Sequence, residues 1–501
     1  MRKAGILMPI SALPSPYGIG TLGAAAREFA DFLAAGGQRC WQLLPVGPTS
    51  YGDSPYQSFS SFAGNPYFID LDTLAQEGLL EPREYRNLNW GEDPAAVDYG
   101  LLYQNRYKVL RKACKRLLEQ DRPDFHQFCT DQAFWLEDYA LFMALKDAHK
   151  GTSWQAWPEG LRLRQPEALD KAREKHGERI GFWKGVQYLF FHQWENWKTY
   201  VNERGISVLG DLPIYVSGDS ADVWANQDQF QMDDQGRPTE VAGCPPDGFS
   251  ADGQLWGNPL FDWERMEEDG YAWWLRRIQF QFRLYDTLRI DHFRGFESYY
   301  AIPYGEDTAR NGRWRPGPGI RFFRRVNEVL GEKDIIAEDL GFLTPSVRKL
   351  LKDSGYPGMK VLEMAFDSRD ADSVYHLPYR YPVHCVVYTG THDNDTVQGW
   401  MASALREDRS YAKSSLRLSS REGYHWGMMR TAWASPAELA VMQFQDLLGL
   451  GSEARINTPS TLGNNWQWRT LPGAFDEKLA RRLYRETRVY QRLPQAKTSK
   501  K

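Results

Sequence analysis

Eight short apolar runs recur along this chain of 501 residues, each the length of a strand and too short for a core helix. They begin near residues 5, 39, 207, 287, 334, 359, 386 and 454, and each leads into a helical pattern or follows a long excursion. In the first unit, Gly5 to Ile10 is apolar and a loop with Pro14, Pro16 and Gly18 follows. Thr21 stands where it can N-cap a helix carrying Leu22, Ala25, Phe29, Phe32 and Leu33 at helical spacing, and Gly36-Gly37 stops it. The second run, Arg39 to Val46, comes next. Strands joined through a helix lie parallel, because the helix carries the chain back to the starting edge. Eight such units predict an α/β fold, a closed (β/α)8 TIM barrel with helical and loop insertions. A doubly wound open sheet is the alternative.

The excursions set the expected domain plan. Residues 1–501 form one barrel, interrupted after the second strand by a mostly helical insertion over about 48–200, with helices near Tyr103–Glu119 and Phe134–His149. A second insertion, a Gly/Asp/Pro-rich loop, spans about 217–263. Loops of that length are usually functional. Later helices are expected at Tyr271–Tyr285, from Thr344-Pro345 to Lys352, and between Asp476 and Leu493. Gly18-Ile19-Gly20-Thr21-Leu22-Gly23 spells a dinucleotide-binding fingerprint. The loop with Pro14 and Pro16 separates it from its strand, however, and no acid ends the next strand at Leu43-Leu44-Pro45-Val46-Gly47 to hold a ribose. A turn entering a helix explains these glycines.

In such a barrel chemistry gathers where strands run out. Asp211, Asp291, Glu338 and Asp393 all stand at strand ends, with Arg289, His292 and His392 beside them. Like charges gathered at one rim repel, so packing alone is a poor reason for four of them. In Thr287-Leu288-Arg289-Ile290-Asp291, period two turns Leu288 and Ile290 to one face and Arg289 and Asp291 to the other. A guanidinium so placed keeps Asp291 ionised, which suits a nucleophile. Glu338 follows Ile335, Ile336 and Ala337, and an apolar approach raises a carboxyl toward the range of a general acid. Asp393 is then a third carboxylate at the same rim, placed to bind hydroxyls or to steady a developing positive charge.

Composition narrows the ligand. A net charge of -4 carries no footprint for nucleic acid or an anionic membrane. The five cysteines (Cys40, Cys114, Cys129, Cys244, Cys385) are scattered without CxxC spacing, so neither a disulfide framework nor a thiolate metal site is expected, and a reducing cytoplasm fits. The start of the chain does not read as a signal peptide, and no apolar run is long enough to span a bilayer. Carboxylates could hold a hard cation, but no metal-ligand motif is present. The chain carries 19 Trp, 26 Tyr and 25 Phe, many beside Gly, Asp, Asn and Gln, and flat faces in loops suit sugar rings. Aromatic loops around acids point to a glycoside, though a non-catalytic glucan-binding protein would also explain the aromatics.

At this point the motifs resemble a known family. Arg289-Ile290-Asp291-His292-Phe293-Arg294-Gly295-Phe296, Ala337-Glu338-Asp339-Leu340-Gly341 and Gly390-Thr391-His392-Asp393-Asn394-Asp395-Thr396 look like the signature blocks of amylomaltases, the 4-α-glucanotransferases also called disproportionating enzymes. Gly210 to Val216, Ser50 to Phe59 and Gln254 to Pro259 match in the same order. The resemblance implies a barrel with insertions, no cofactor and no metal. It also implies a retaining double displacement on α-1,4-glucans, with maltooligosaccharides and glucose as partners. By block position Asp291 corresponds to the nucleophile, Glu338 to the acid/base and Asp393 to the stabiliser. Sugar contacts are expected from Arg289, His292, His392, Asp211, Ser54, Tyr56, Gln254, Trp256, Asp367 and Asn465. Tyr51, Tyr56, Phe249 and Trp256 are expected to stack an acceptor and exclude water, favouring transfer over hydrolysis. Three positions depart from the pattern. Phe261 stands for the usual Tyr, Ser460 follows Pro459 where Gly is common, and Cys244 sits in the Gly-x-Pro-Pro loop, which bears on acceptor-side contacts.

Overall fold

Parallel strands, each alternating between a lumen face and a helix face, organise the molecule. The computed structural model describes residues 2–50, 52–246, 251–341 and 343–493. Its strands are β1 (Lys3–Leu7), β2 (Cys40–Gln42), β3 (Ser207–Leu212), β4 (Glu240–Cys244), β5 (Gln254–Pro259), β6 (Thr287–Ile290), β7 (Ser298–Pro303), β8 (Arg313–Pro316), β9 (Ile335–Ala337), β10 (Gly358–Val361), β11 (Cys385–Tyr388) and β12 (Leu439–Gln443). Eight of them make one parallel sheet in the order β10-β11-β12-β1-β2-β3-β6-β9. Its two ends meet: the Ala337 amide donates to the Pro357 carbonyl at 3.0 Å, and the Met359 amide to the Asp339 carboxylate at 2.6 Å. The result is a nearly closed (β/α)8 barrel.

Alternation assigns the faces. Leu7, Cys40, Leu209, Met359, Val386 and Val441 fill the lumen, while Ile6, Trp41, Val208, Leu288, Val387 and Ala440 pack outward against the helices. Each such aliphatic side chain contributes about 1.5–3 kcal/mol on burial. The final strand differs from expectation. It is Leu439–Gln443, paired to β1 and β11 on either side, and not the stretch from Ala454 to Asn457. Ala, Leu, Met and Gln favour helices, so local preference masks a strand that two parallel neighbours impose. The 454–457 stretch follows a 3-10 turn at Ser452–Ala454 and takes a hydrogen bond from the Trp466 amide at Ile456, 2.7 Å long.

Between β2 and β3 lie helices including Tyr99–Glu119, Ala133–Ala148 and Gly177–Glu203. The excursion after β3 is more than a loop. It holds a short helix at Ala221–Ala225 and strands β4 and β5, which join β7 and β8 in an antiparallel sheet ordered β5-β4-β7-β8. The aromatics largely serve the core: Trp41, Trp154, Trp194, Trp197, Trp224, Trp274 and Trp433 are fully buried, so the composition reflects packing more than sugar binding. Thr21 is not a helix cap. The first helix starts at Ala24 behind Gly23, and the Thr21 hydroxyl donates to Asp70 at 2.8 Å. Close packing accounts for Gly20, where a β-carbon would lie 1.8 Å from the Ile10 carbonyl oxygen.

Candidate active site

Neighbouring strands β3 and β6 place Asp211 in register with Arg289. Arg289 points into the lumen, its side chain 4% exposed. Its Nη1 donates to both oxygens of Asp211 at 2.6 and 2.7 Å, and lies 2.9 Å from Asp291 Oδ1. Its Nε faces the Met359 sulfur at 3.4 Å. The Tyr56 hydroxyl donates to Asp211 Oδ2 at 2.8 Å. Asp211 is therefore a buried anchor. Asp291, whose side chain is 26% exposed, is the carboxylate of this group that opens on solvent.

The residue after Asp291 turns sharply. His292 has φ +50°, a left-handed conformation that costs a non-glycine residue about 1–3 kcal/mol. The turn aims the His292 amide at Glu338 Oε2, 2.7 Å away, and the Leu340 amide donates to Oε1 at 2.9 Å. Burial pushes the Glu338 carboxyl up to about 8; the Asp291 charge adds to this, while Arg289 and the two amides oppose it. Glu338 thus holds a proton at neutral pH, as the apolar run before it suggests. Burial also pushes His292 down to about 4, so its ring is neutral, and it meets Trp256 edge to face with centroids 4.9 Å apart.

Asp393 follows β11. Its Oδ1 accepts from the Asn457 side-chain amide at 2.6 Å, and its carbonyl from Arg455 at 2.6 Å. Arg455 also donates to the Asn457 carbonyl at 2.8 Å. Neither Arg455 nor Asn457 stands out in the sequence. Their one signal there is a polar pair within the run Ala454 to Asn457, which reads as a strand. His392 is buried under Tyr56, ring on ring, with centroids 5.1 Å apart.

These groups meet in a cleft of about 570 Å³, whose wall includes Ser54, Tyr56, Gln254, Trp256, Asp291, His292, His392 and Asp393. Tyr215, Asn258 and Leu462 join it; Tyr215 and Asn258 fall inside the blocks Gly210 to Val216 and Gln254 to Pro259, while no motif marks Leu462. Arg289 and Asp211 lie below this wall, and Glu338 stands behind the His292 backbone. Asn465 does not line the cleft. It holds the loop that does, accepting from the Thr458 amide at 2.9 Å and donating to Thr461. Asp367 is elsewhere, turned onto Arg369 at 2.8 Å in a separate surface pocket with Tyr411. Tyr51 and Phe249 lie outside the described residues.

Comparison with known proteins places this geometry. Residues 8–473 match the family model for 4-alpha-glucanotransferase, glycoside hydrolase 77. The chain belongs to the 4-alpha-glucanotransferase family. A 4-alpha-glucanotransferase of Clostridium butyricum is 48% identical over 97% of this chain and 100% of its own. One of Thermus thermophilus is 46% identical over 98% and 99%. The solved amylomaltase of Streptococcus agalactiae, in complex with acarbose, superposes with TM-score 0.96 at 40% identity, covering 99% of this chain and 100% of that one. For a 4-alpha-glucanotransferase the three departures sort cleanly. Phe261 is 1% exposed and stacks on Phe230, so its missing hydroxyl concerns the core and not an acceptor. Cys244 closes β4 opposite Gln254. Ser460 alone lies on the cleft, at φ +62°.

Proposed function

We propose that this 4-alpha-glucanotransferase moves α-1,4-glucan segments from a donor glucan to the 4-hydroxyl of an acceptor glucan or glucose through a covalent glycosyl-enzyme. In the first step an oxygen of Asp291 attacks the anomeric carbon, the glycosidic C–O bond breaks, and the proton of Glu338 goes to the leaving 4-oxygen. In the second, the acceptor 4-hydroxyl attacks that carbon, gives its proton to the Glu338 carboxylate and frees Asp291. Two inversions retain the anomeric configuration. Asp393 faces the positive charge that develops between the steps, and neutral His292 can donate a hydrogen bond to a sugar hydroxyl without adding a cation there.

The observation that carries the roles is the sharing of Arg289. One guanidinium makes direct contacts with Asp211 and Asp291, while the hydrogen bonds of Glu338 among the described residues come from two backbone amides. One carboxylate is thereby paired with a cation and aimed at the cleft, and its neighbour is kept as an acid by burial, the division that a retaining double displacement requires. Trp256 and Tyr56 offer ring faces or edges along the cleft where an acceptor can displace water. The five cysteines are free thiols, which fits a reducing compartment such as the cytoplasm.

Incubation with maltotriose tests the reading. Free glucose with maltooligosaccharides longer than the substrate is the expected outcome. Rising reducing ends without longer products would assign hydrolysis instead, and unchanged maltotriose would leave a glucan-binding protein. Asp291→Ala and Glu338→Gln should each abolish turnover with the fold intact.

A further inference from the structure

Above the apolar layers of the lumen, the barrel is polar. Gln42 ends β2, Gln443 ends β12, Tyr388 ends β11, and Glu363 begins the 3-10 turn that follows β10. Tyr388 sits in the lumen cluster, and period two from Cys40 and Val441 turns Gln42 and Gln443 the same way. Four atoms of this layer, Gln42 Oε1, Gln443 Oε1, Tyr388 OH and Glu363 Oε1, are buried without a hydrogen-bond partner among the described residues. Buried polar groups in native proteins are nearly always paired. Two of the four are amide oxygens and can only accept. Tyr388, which lies beside Gln42, can donate. Glu363 can donate only if it carries a proton, and then hydroxyls and acceptors balance two against two.

The surroundings favour the protonated acid. Glu363 is 4% exposed. Burial raises its carboxyl well above the ordinary range, Asp446 and Asp395 raise it further, and Arg455 opposes them. Asp446 faces it from the helix Phe444–Leu448 and is already bound by the Thr389 hydroxyl and the Val397 amide. Asp395 faces it from the turn after β11 and takes the Ser452 hydroxyl. Arg455 is spent on the carbonyls of Asp393 and Asn457.

That turn is the one that presents Asp393. A point one bond from the Gly390 α-carbon lies 2.9 Å from Gln443 Nε2 and 3.1 Å from Glu363 Oε1, so the two side chains close around Gly390. The Glu363 amide donates to the Thr389 carbonyl at 3.1 Å, and Gln443 Nε2 to the Asp395 carbonyl at 3.0 Å. Both ends of the segment are therefore gripped from this layer, with Asp393 between them.

We propose that Glu363 is a positioning residue for Asp393, an uncharged acid whose hydroxyl donates to Gln443 Oε1 and so fixes the Gly390–Asp395 turn. This rests on the role assigned to Asp393 above. An ionised Glu363 would leave Gln443 without its donor, repel Asp395 and Asp446, and draw Arg455 from the Asp393 carbonyl.

The test compares Glu363→Gln, Glu363→Ala, Gln443→Met and Asp393→Ala with the parent in maltotriose disproportionation from pH 5 to 9. Glu363→Gln keeps a neutral donor and should retain kcat within about threefold. Glu363→Ala and Gln443→Met should lose about 30-fold or more in kcat with KM nearly unchanged, the size of effect expected when a reacting group is misplaced. Rescue by glutamine separates positioning from mere stability. Urea midpoints should also fall less from pH 5 to 8 in Glu363→Gln than in the parent. Equal losses in Glu363→Gln and Glu363→Ala would overturn the uncharged role, and parental kcat in Glu363→Ala would overturn positioning. If alanine prevents folding, parental kcat in Gln443→Met does the same. An active Asp393→Ala would instead defeat the reading of Asp393 itself.

Discussion

Replacing Glu338 by glutamine gives the most direct measure of the proton that the mechanism needs. Burial and Asp291 push this carboxyl up to about 8, against an ordinary value of ~4.3 in an unfolded chain. Between those values the folded protein binds a proton that the unfolded chain does not. Stability therefore falls as pH rises through that window, by about 1.4 kcal/mol per pH unit for this group. At pH 7 the accumulated penalty is roughly 3–4 kcal/mol. The glutamine side chain does not titrate, so the Glu338→Gln variant escapes that slope. It has a separate cost independent of pH, because its NH2 group faces one of the two amides that Glu338 accepts, worth about 1–3 kcal/mol. Urea unfolding of both proteins at pH 5, 6, 7 and 8 reads the difference. Whatever its offset, the difference should move in favour of the variant as pH rises. In the parent the same proton should set an alkaline limb of kcat/KM near pH 8, activity falling as Glu338 ionises. Parallel stability curves for the two proteins would refute the buried acid, and with it the general acid.

Other perturbations probe the frame around that proton. Asp211→Asn strips Arg289 of a buried partner and should cost about 3–5 kcal/mol in urea unfolding. It should also move the alkaline limb to lower pH, because a less neutralised guanidinium favours ionised Glu338; an unmoved limb would break the link between Arg289 and the acid. Asn457→Ala removes the 2.6 Å bond to Asp393 and should lower kcat by about 10- to 100-fold with little change in KM, and a pure KM effect would reassign Asn457 to sugar binding. Ser460→Gly relieves a left-handed serine and should raise the unfolding free energy by up to about 1 kcal/mol; a loss would mean that the Ser460 side chain makes up for its backbone.

What the sequence shows most clearly is what local pattern controls. Leu288 and Ile290 on one face with Arg289 and Asp291 on the other follows from the two-residue period alone, and the lumen keeps that division. The helix stop at Gly36 and the cap at Thr344 are equally local. Long-range features are a different matter. β12 is written in helix-favouring residues and exists because β1 and β11 pair with it. Asp367 follows the end of β10 by six residues, against five between β11 and Asp393, yet the 3-10 turn Glu363–Phe366 carries it away to Arg369. Asn457 reaches Asp393 across 64 residues of chain, with nothing in its neighbours to mark it. Most tryptophans look like ligand platforms beside polar residues, and three-dimensional packing buries them all the same.

The decisive quantity in the site is the ratio of carboxyls to cations. Asp211, Asp291 and Glu338 surround a single buried guanidinium. Asp211 holds it with two short bonds in the interior, where any lone charge would be expensive, so its partner cannot be spared. What remains of the positive field goes to Asp291 at 2.9 Å. A charge on Glu338 would add repulsion with no new cation to offset it, and a proton there removes that repulsion. Asp211 is not part of the cleft wall and meets it through the Tyr56 hydroxyl, but it determines how much of Arg289 is left for Asp291 and Glu338. A cation beside Glu338 should therefore do what removal of Asp211 does by a different route, lowering the acid's affinity for its proton. A barrel rim with equal numbers of arginines and acids would be more stable and would have no proton to give.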